Sequence, residues 1–165
     1  MNENPRITHQ APNVTLATWR EVFVSVWRAV GTVNDVRTQY AQQRQHAQKL
    51  GSEKVIAISV VQSRAAMSLD ADVRRAIEEG TKTTQEHMKA SAVIITADGF
   101  GAAAIRSVIA ALMMLNRPKF PTQVFGNDDE ACAWAGGFLT NVTRGGASPA
   151  AALRTALRDV VTSQA

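Results

Sequence analysis

Two short, unbroken runs of aliphatic residues, each followed by a helical pattern, constrain the fold of this chain most strongly. The first run covers residues 54–61 and the second covers residues 91–96. Continuous Val and Ile over so few residues is typical of strands that are covered on both faces. Since helical patterns alternate with these strands, the sequence predicts an α/β domain with a mixed sheet and crossover helices.

An N-terminal hairpin is predicted ahead of these strands, because residues 13–29 alternate between two apolar faces. The polar pair Arg20 and Glu21 interrupts the alternation and marks a turn. We therefore expect one strand near residues 13–19 and a second near residues 22–29.

Cap residues indicate where the first helices begin. Thr32, followed three residues later by Asp35, approximates a capping box and opens a helix through Leu50. Ser68 is the expected N-cap of the second helix, because its hydroxyl can accept a hydrogen bond from a free backbone N–H. A third helix, strongly apolar, is predicted near residues 102–115.

The last third of the chain adds one strand and two helices. Residues 122–125 form the last predicted strand, and the Asn-Asp-Asp-Glu segment at 127–130 caps a fourth helix through Leu139. Ser148 and Pro149 suit the cap and first turn of an extra C-terminal helix.

These elements divide the chain into three parts. Residues 1–12 are polar and contain two prolines, so we expect a flexible leader. Residues 13–139 form the α/β domain. Residues 140–165 comprise a linker and an amphipathic helix that packs on the domain or on a partner.

Size and composition are those of one globular domain. The chain has 165 residues, of which 45% are apolar and 19% charged. Its net charge is +4, but the cations are evenly spread and no basic run reaches four residues, so we expect no nucleic-acid partner. Cys132 is the single cysteine, which excludes an intramolecular disulfide, and we expect it to be a small buried hydrophobe.

No part of the sequence predicts membrane insertion or export. The N-terminus lacks the apolar core of a signal peptide. The longest apolar stretch, residues 102–115, is interrupted by Arg106 and Ser107 and is too short to span a bilayer. We therefore expect a cytoplasmic protein without a membrane span.

The order of the predicted elements resembles the STAS fold of bacterial anti-anti-sigma factors. The closing segment at 120–134, Phe-Pro-Thr-Gln-Val-Phe-Gly-Asn-Asp-Asp-Glu-Ala-Cys-Ala-Trp, is similar to that family's final strand, polar turn and acidic-started helix. The segment at 31–36, Gly-Thr-Val-Asn-Asp-Val, is similar to its glycine-ended second strand and first helix. The resemblance covers residues 13–139 and is to divergent bacterial members without an assigned activity.

This resemblance implies a regulatory module that is not an enzyme and that is switched by phosphorylation between the third predicted strand and the second helix. The hydroxyls available at that junction are Ser63 and Ser68. The junction departs from the family's Asp-Ser-Ser/Thr-Gly pattern, because no glycine follows either serine. A phosphate there would add nearly two negative charges beside a helix N-terminus. The alternative is that Ser68 is only a cap.

Three aromatic residues of the hairpin form a candidate contact surface: Trp19, Phe23 and Trp27. Their simplest role is core beneath the first helix. Since valines occupy the opposite face, the hairpin is apolar on both sides and must be covered. The cover is either the C-terminal helix, a second subunit in a homodimer, or another protein.

The main alternative function is binding of a small apolar or lipid-like ligand, since related STAS-like domains resemble lipid-transfer folds. Phe100, Ile105 and Met113 are the candidate pocket residues, although core packing explains them equally well. The Asp-Gly-Phe-Gly turn at 98–101 could hold an anion, but it lacks the lysine of a phosphate-binding loop.

The chain offers no residues in a catalytic or metal-binding pattern. His9, His46 and His87 lack partners at metal-ligand spacing and are expected at the solvated surface. No Ser/His/Asp or Cys/His arrangement is present in the pattern of residues. We therefore expect no enzyme activity, no metal and no cofactor.

Overall fold

A computed structural model describes residues 4–63, 69–96, 103, 106, 107, 110, 117–140 and 147–163. Its strands are β1 (Arg6–Gln10), β2 (Val14–Trp19), β3 (Val22–Trp27), β4 (Val55–Val61), β5 (Met88–Ile95) and β6 (Thr122–Phe125). Its helices are α1 (Val33–Leu50), α2 (Ala71–Thr84), α3 (Asp128–Gly136) and α4 (Pro149–Thr162), with a 3₁₀ turn at Gln85–His87.

The six strands form one mixed sheet in the order β1-β2-β3-β4-β5-β6. The first three strands are antiparallel, and β3 to β6 run parallel. Helices α1 and α2 supply the crossovers that parallel neighbours require. The predicted α/β class, with its N-terminal hairpin, crossover helices and extra C-terminal helix, is confirmed.

One face of the sheet is covered by α1 and α2. The side chains of Phe23 and Leu16 are buried there together with Ala47 of α1. Val36 of α1 packs against Val73 of α2 beside them. The capping box that opens α1 is confirmed, since Asp35 N–H donates to Thr32 Oγ1 over 3.1 Å.

The opposite face is covered by α3 and α4. Leu153, Leu157 and Val160 of α4 are buried against the sheet, where β3 contributes Val22, Val24 and Val26. The predicted caps of both helices are confirmed, because Asn127 accepts from Glu130 N–H and Ser148 accepts from Ala151 N–H. The C-terminal helix therefore packs on its own domain and covers the second apolar face of the hairpin.

The predicted flexible leader is corrected over Arg6–Gln10, which forms the edge strand β1. The sequence analysis missed this strand because both faces of an edge strand can stay in water, so the segment shows no apolar alternation. Backbone pairing with β2 holds β1 in place. The Arg28 guanidinium also donates to the carbonyl oxygens of Ala11, over 2.6 Å, and Pro12, over 3.4 Å.

The limits of the second helix also differ from the prediction. Its N-cap is Asp70 rather than Ser68, since Asp70 Oδ1 accepts from Val73 N–H over 2.8 Å. The helix ends at Thr84, and Met88 begins strand β5. A 3₁₀ turn at Gln85–His87 lies between them.

Candidate functional site

The carboxyl ends of three parallel strands lie side by side at one edge of the sheet, which we call the carboxyl edge. Trp27, Val61 and Ile95 occupy matching positions on β3, β4 and β5. The ladder continues one step further, since Gln62 N–H donates to Trp27 O over 2.9 Å and Thr96 N–H to Val61 O over 3.1 Å. Open α/β sheets place their binding sites at this edge.

Ser63 lies at the carboxyl edge, two residues beyond the end of β4, and is half-buried. It follows a central strand, and the next helix along the described chain is α2. Ser63 therefore lies in the chain between β4 and α2, and its role as a phosphoacceptor stays a prediction. Ser68, the second candidate, lies outside the described residues.

Carboxylates already occupy the N-terminus of α2, the next described helix after β4. Asp70 caps the helix, and Asp72 stands in its first turn. The Asp72 carboxylate is exposed and lies 3.8 Å from the Arg75 guanidinium. These acids already complement the positive end of the helix dipole.

A carboxylate also occupies the N-terminus of α1, which begins a few residues after β3. Asp35 Oδ2 accepts from the Thr32 backbone N–H over 2.8 Å, from Thr32 Oγ1 over 2.9 Å and from Asn13 Nδ2 over 3.3 Å. Burial acts to raise the pKa of Asp35, but these hydrogen bonds outweigh it and hold the pKa below its ordinary value. The Asp35 carboxylate thus stays ionised at the start of α1.

The predicted aromatic contact surface is corrected, because its three residues belong to the core. Trp19 pairs with Val22 and lies on the face covered by α3 and α4. Phe23 and Trp27 lie on the opposite face, beneath α1. Trp19 is 4% exposed and Phe23 is 1% exposed, while half-buried Trp27 packs against Gly31. A single exposed aromatic surface is therefore not formed.

The ligand-pocket prediction is not tested by the structure. Phe100, Ile105 and Met113 lie outside the described residues, as does the glycine turn at 98–101. Within the predicted third helix, the described residues Ala103, Arg106, Ser107 and Ala110 are helical. Binding of an apolar ligand stays a prediction.

Two nucleophilic or titratable side chains prove to be buried. Cys132 is fully buried, as predicted, and burial together with the Asp128 carboxylate raises the pKa of its thiol to about 11. His46 was expected at the surface but is half-buried, with its ring 6.5 Å from that of Phe23. Burial lowers the pKa of His46 below its ordinary value. Neither side chain is placed for catalysis at the carboxyl edge.

Glu21 is a buried acid that the sequence analysis placed only in a turn. Arg20 adopts the left-handed conformation at φ 51°, which turns the chain between β2 and β3. The Glu21 side chain is 3% exposed, and its carboxylate accepts from the Thr140 backbone N–H. Lys89 Nζ donates to Thr140 Oγ1 over 2.6 Å. The Glu21 and Lys89 side chains thus anchor the segment after α3 through Thr140. Its role is structural, and no local pattern marks it.

The described residues offer no metal-binding site. They hold no cluster of three or more His, Cys, Asp or Glu side chains able to bind a metal ion. No helix within the described ranges is long and apolar enough to cross a membrane. No protein-family model, curated protein or solved structure matches the chain.

Proposed function

We propose that this chain is a STAS-like, non-catalytic regulatory module of the cytoplasm, which acts through protein contacts and is switched by phosphorylation of Ser63. The observation that carries the proposal is the position of Ser63 two residues beyond the end of central strand β4, at the carboxyl edge. Both faces of the hairpin are covered within the chain, so we assign the contact to this edge rather than to the aromatic residues.

The charges around the edge determine the direction of the switch. Asp35, Asp70 and Asp72 already stand at the two helix N-termini that follow β3 and β4. Phosphorylation of Ser63 would add nearly two more negative charges beside them. An acidic or apolar partner surface that fits the unmodified edge would then be repelled or would have to desolvate a dianion. Phosphorylation is thus proposed to release the partner.

The test compares a negative charge placed at Ser63, beyond the carboxyl end of β4, with one placed at Ser52, before the amino end of β4. Tagged wild type, Ser63→Ala and Ser63→Asp are used to capture proteins from the native cell, and the captured proteins are quantified by mass spectrometry. Ser52→Asp is the matched control, because Ser52 is an exposed serine between α1 and the start of β4. The same spectra of the endogenous protein report whether Ser63 carries a phosphate.

The expected result is a partner held by wild type, Ser63→Ala and Ser52→Asp but lost from Ser63→Asp. Thermal unfolding of each variant checks that the loss does not reflect misfolding. Equal capture by all four proteins, with unmodified Ser63 in the cell, would contradict the switch. Ser68→Asp is run in parallel, and a loss confined to that variant would move the switch to Ser68.

A further inference from the structure

The face of the sheet beneath α1 and α2 is covered less tightly than the opposite face. In central strand β4, Ile56 and Ile58 lie on the face of α3 and α4, and both are 0% exposed. Ala57 and Ser59 alternate with them onto the face of α1 and α2, and both are partly exposed. Central strands of parallel sheets are normally buried on both faces. An accessible space therefore lies over the middle of β4.

This space continues as a groove across the strands. Ala57 pairs with Ser91 of β5, and Ser91 pairs with Thr122 of β6, so the three residues form one row across the sheet. All three are partly exposed. The row ends at Phe23 of β3, which is 1% exposed and packs beneath α1. The groove is thus open towards edge strand β6 and closed by α1 at its inner end.

A second row, two residues further along the strands, brings a hydroxyl pair to the groove. Ser59 pairs with Ser25 of β3, and their Oγ atoms lie 2.9 Å apart. Ser25 is 1% exposed, whereas Ser59 stays accessible from the groove. A hydroxyl has one donor and two acceptor sites, so Ser59 Oγ can form a further hydrogen bond in addition to the one with Ser25.

The Ser91 hydroxyl is the second polar group of the groove. Among the described residues, no group hydrogen-bonds Ser91 Oγ, although this side chain is half-buried. Hydroxyls that are withdrawn from bulk solvent are satisfied by ordered water or by a ligand when the protein supplies no partner. Ser59 and Ser91 lie on neighbouring strands, two residues apart in register, so one small molecule can contact both.

We propose that this groove binds a small, uncharged ring molecule that carries hydroxyl groups. Its floor measures roughly 10 Å across three strands and roughly 7 Å along them, which is the size of one ring. Ala57 and Val93 offer methyl groups to the face of the ring. Ser59 and Ser91 offer hydrogen bonds to its hydroxyls. In the two described rows of β3, β4 and β5 no residue is charged, so an ionised ligand would lose its hydration without gaining a partner.

The first experiment titrates the isotope-labelled full chain with the cyclohexanediol whose hydroxyls lie on opposite ring carbons, and follows backbone amides by NMR. The amides of Ala57, Ser59 and Ser91 are expected to shift together, with a Kd of about 1–20 mM for so small a ligand. The corresponding dicarboxylate is expected to leave them unchanged. Ser91→Ala should weaken diol binding about fivefold. Ser52→Ala, at an exposed serine before β4, should bind like wild type.

The second experiment tests the space itself by filling it. Ala57→Leu places a larger aliphatic side chain in the groove, and is expected to block the diol while the urea midpoint of unfolding stays close to that of wild type. Ala92→Leu is the matched control, because Ala92 is 0% exposed on the opposite face of neighbouring strand β5. The same side chain overpacks the core there and is expected to lower the urea midpoint.

The absence of saturable shifts with the diol, equal shifts with the dicarboxylate, or an undiminished affinity of Ser91→Ala would each overturn the inference. An Ala57→Leu protein destabilised as much as Ala92→Leu would also overturn it, because no space would then lie over β4. None of these outcomes bears on the proposed function, since Ser59 lies within β4 and Ser63 lies beyond its carboxyl end.

Discussion

The aromatic ring of Tyr40 lies directly against the Cα of Gly80, where α1 crosses α2. A β-carbon built on Gly80 would stand 2.1 Å from Cδ2 of that ring. The Tyr40 hydroxyl lies 3.1 Å from Thr81 Oγ1, so a hydrogen bond closes the same contact. The close approach of the two crossover helices therefore depends on the absence of a side chain at residue 80.

Replacing Gly80 by Ala is expected to destabilise the protein although alanine favours helices. The gain in helix propensity is at most about 1 kcal/mol. The added methyl must displace the Tyr40 ring, and overpacking of this kind costs about 1–3 kcal/mol. Urea unfolding of Gly80→Ala should thus show a lower free energy of unfolding than wild type.

The control for this prediction is Gly137→Ala at the end of α3. A β-carbon there meets one atom within 4 Å, the Trp134 carbonyl oxygen at 3.3 Å. Its effect is expected to stay within about 0.5 kcal/mol. A Gly80→Ala protein as stable as Gly137→Ala would contradict this, because it would show that α1 and α2 can move apart with no loss in free energy of unfolding.

Much of the fold follows from local patterns in the sequence. The aliphatic runs predicted β4 and β5, and side-chain caps at Thr32, Asn127 and Ser148 predicted three helix starts. Ser68 and Asp70 are both good N-caps, so preference alone could not choose between them. Strand β1 was missed because its stability comes from the ladder to β2 rather than from its own side chains.

The candidate site was predicted less completely, because it depends on which elements cover each face. The alternation along the hairpin correctly placed Phe23 and Val22 on opposite faces of the sheet. The face of Trp19, however, depends on its pairing with Val22 across the hairpin. The burial of all three aromatic side chains depends on helices that pack from distant parts of the chain. Ser63 was predictable because its position requires only the end of β4.

Replacing Asp35 by Asn should destabilise the protein at neutral pH by about 2 kcal/mol, since the carboxylate accepts three hydrogen bonds. The pKa of Asp35 is lowered in the folded protein. Its contribution is therefore present above the unfolded pKa of about 4 and is lost as pH falls through the folded-state value. Urea unfolding of both proteins at several pH values measures this difference.

The free-energy gap between wild type and Asp35→Asn should accordingly shrink as the solution is acidified below pH about 4. Asp72→Asn provides the comparison, because its carboxylate is 75% exposed beside Arg75. Exposed ion pairs contribute at most about 1 kcal/mol, so that variant should stay close to wild type. A gap for Asp35→Asn that does not depend on pH would refute the assigned role of the ionised carboxylate.

The Cys132 thiol should be inert in the folded protein. It is fully buried, and its pKa is raised to about 11. At pH about 8 only roughly one thiol in a thousand would be ionised, and the thiolate is the reactive form. A thiol-specific disulfide reagent should therefore react slowly with native protein and stoichiometrically in denaturant, with Cys132→Ala as the blank. Rapid reaction with native protein would show that the core opens around α3.

Mild acidification should lower the free energy of unfolding because of His46. Its side chain is half-buried against Phe23. Because burial lowers the pKa of His46, the unfolded chain takes up a proton near pH 6.5 while the folded protein still resists it. The free energy of unfolding therefore keeps the whole His46 contribution above pH about 6.5 and decreases as pH falls towards the folded-state pKa.

The thermal midpoint of wild type should drop between pH about 7.5 and about 5.5, and that of His46→Gln should drop much less. His87→Gln, at an exposed position, should retain it, and equal pH dependence in all three proteins would exclude His46 as the source.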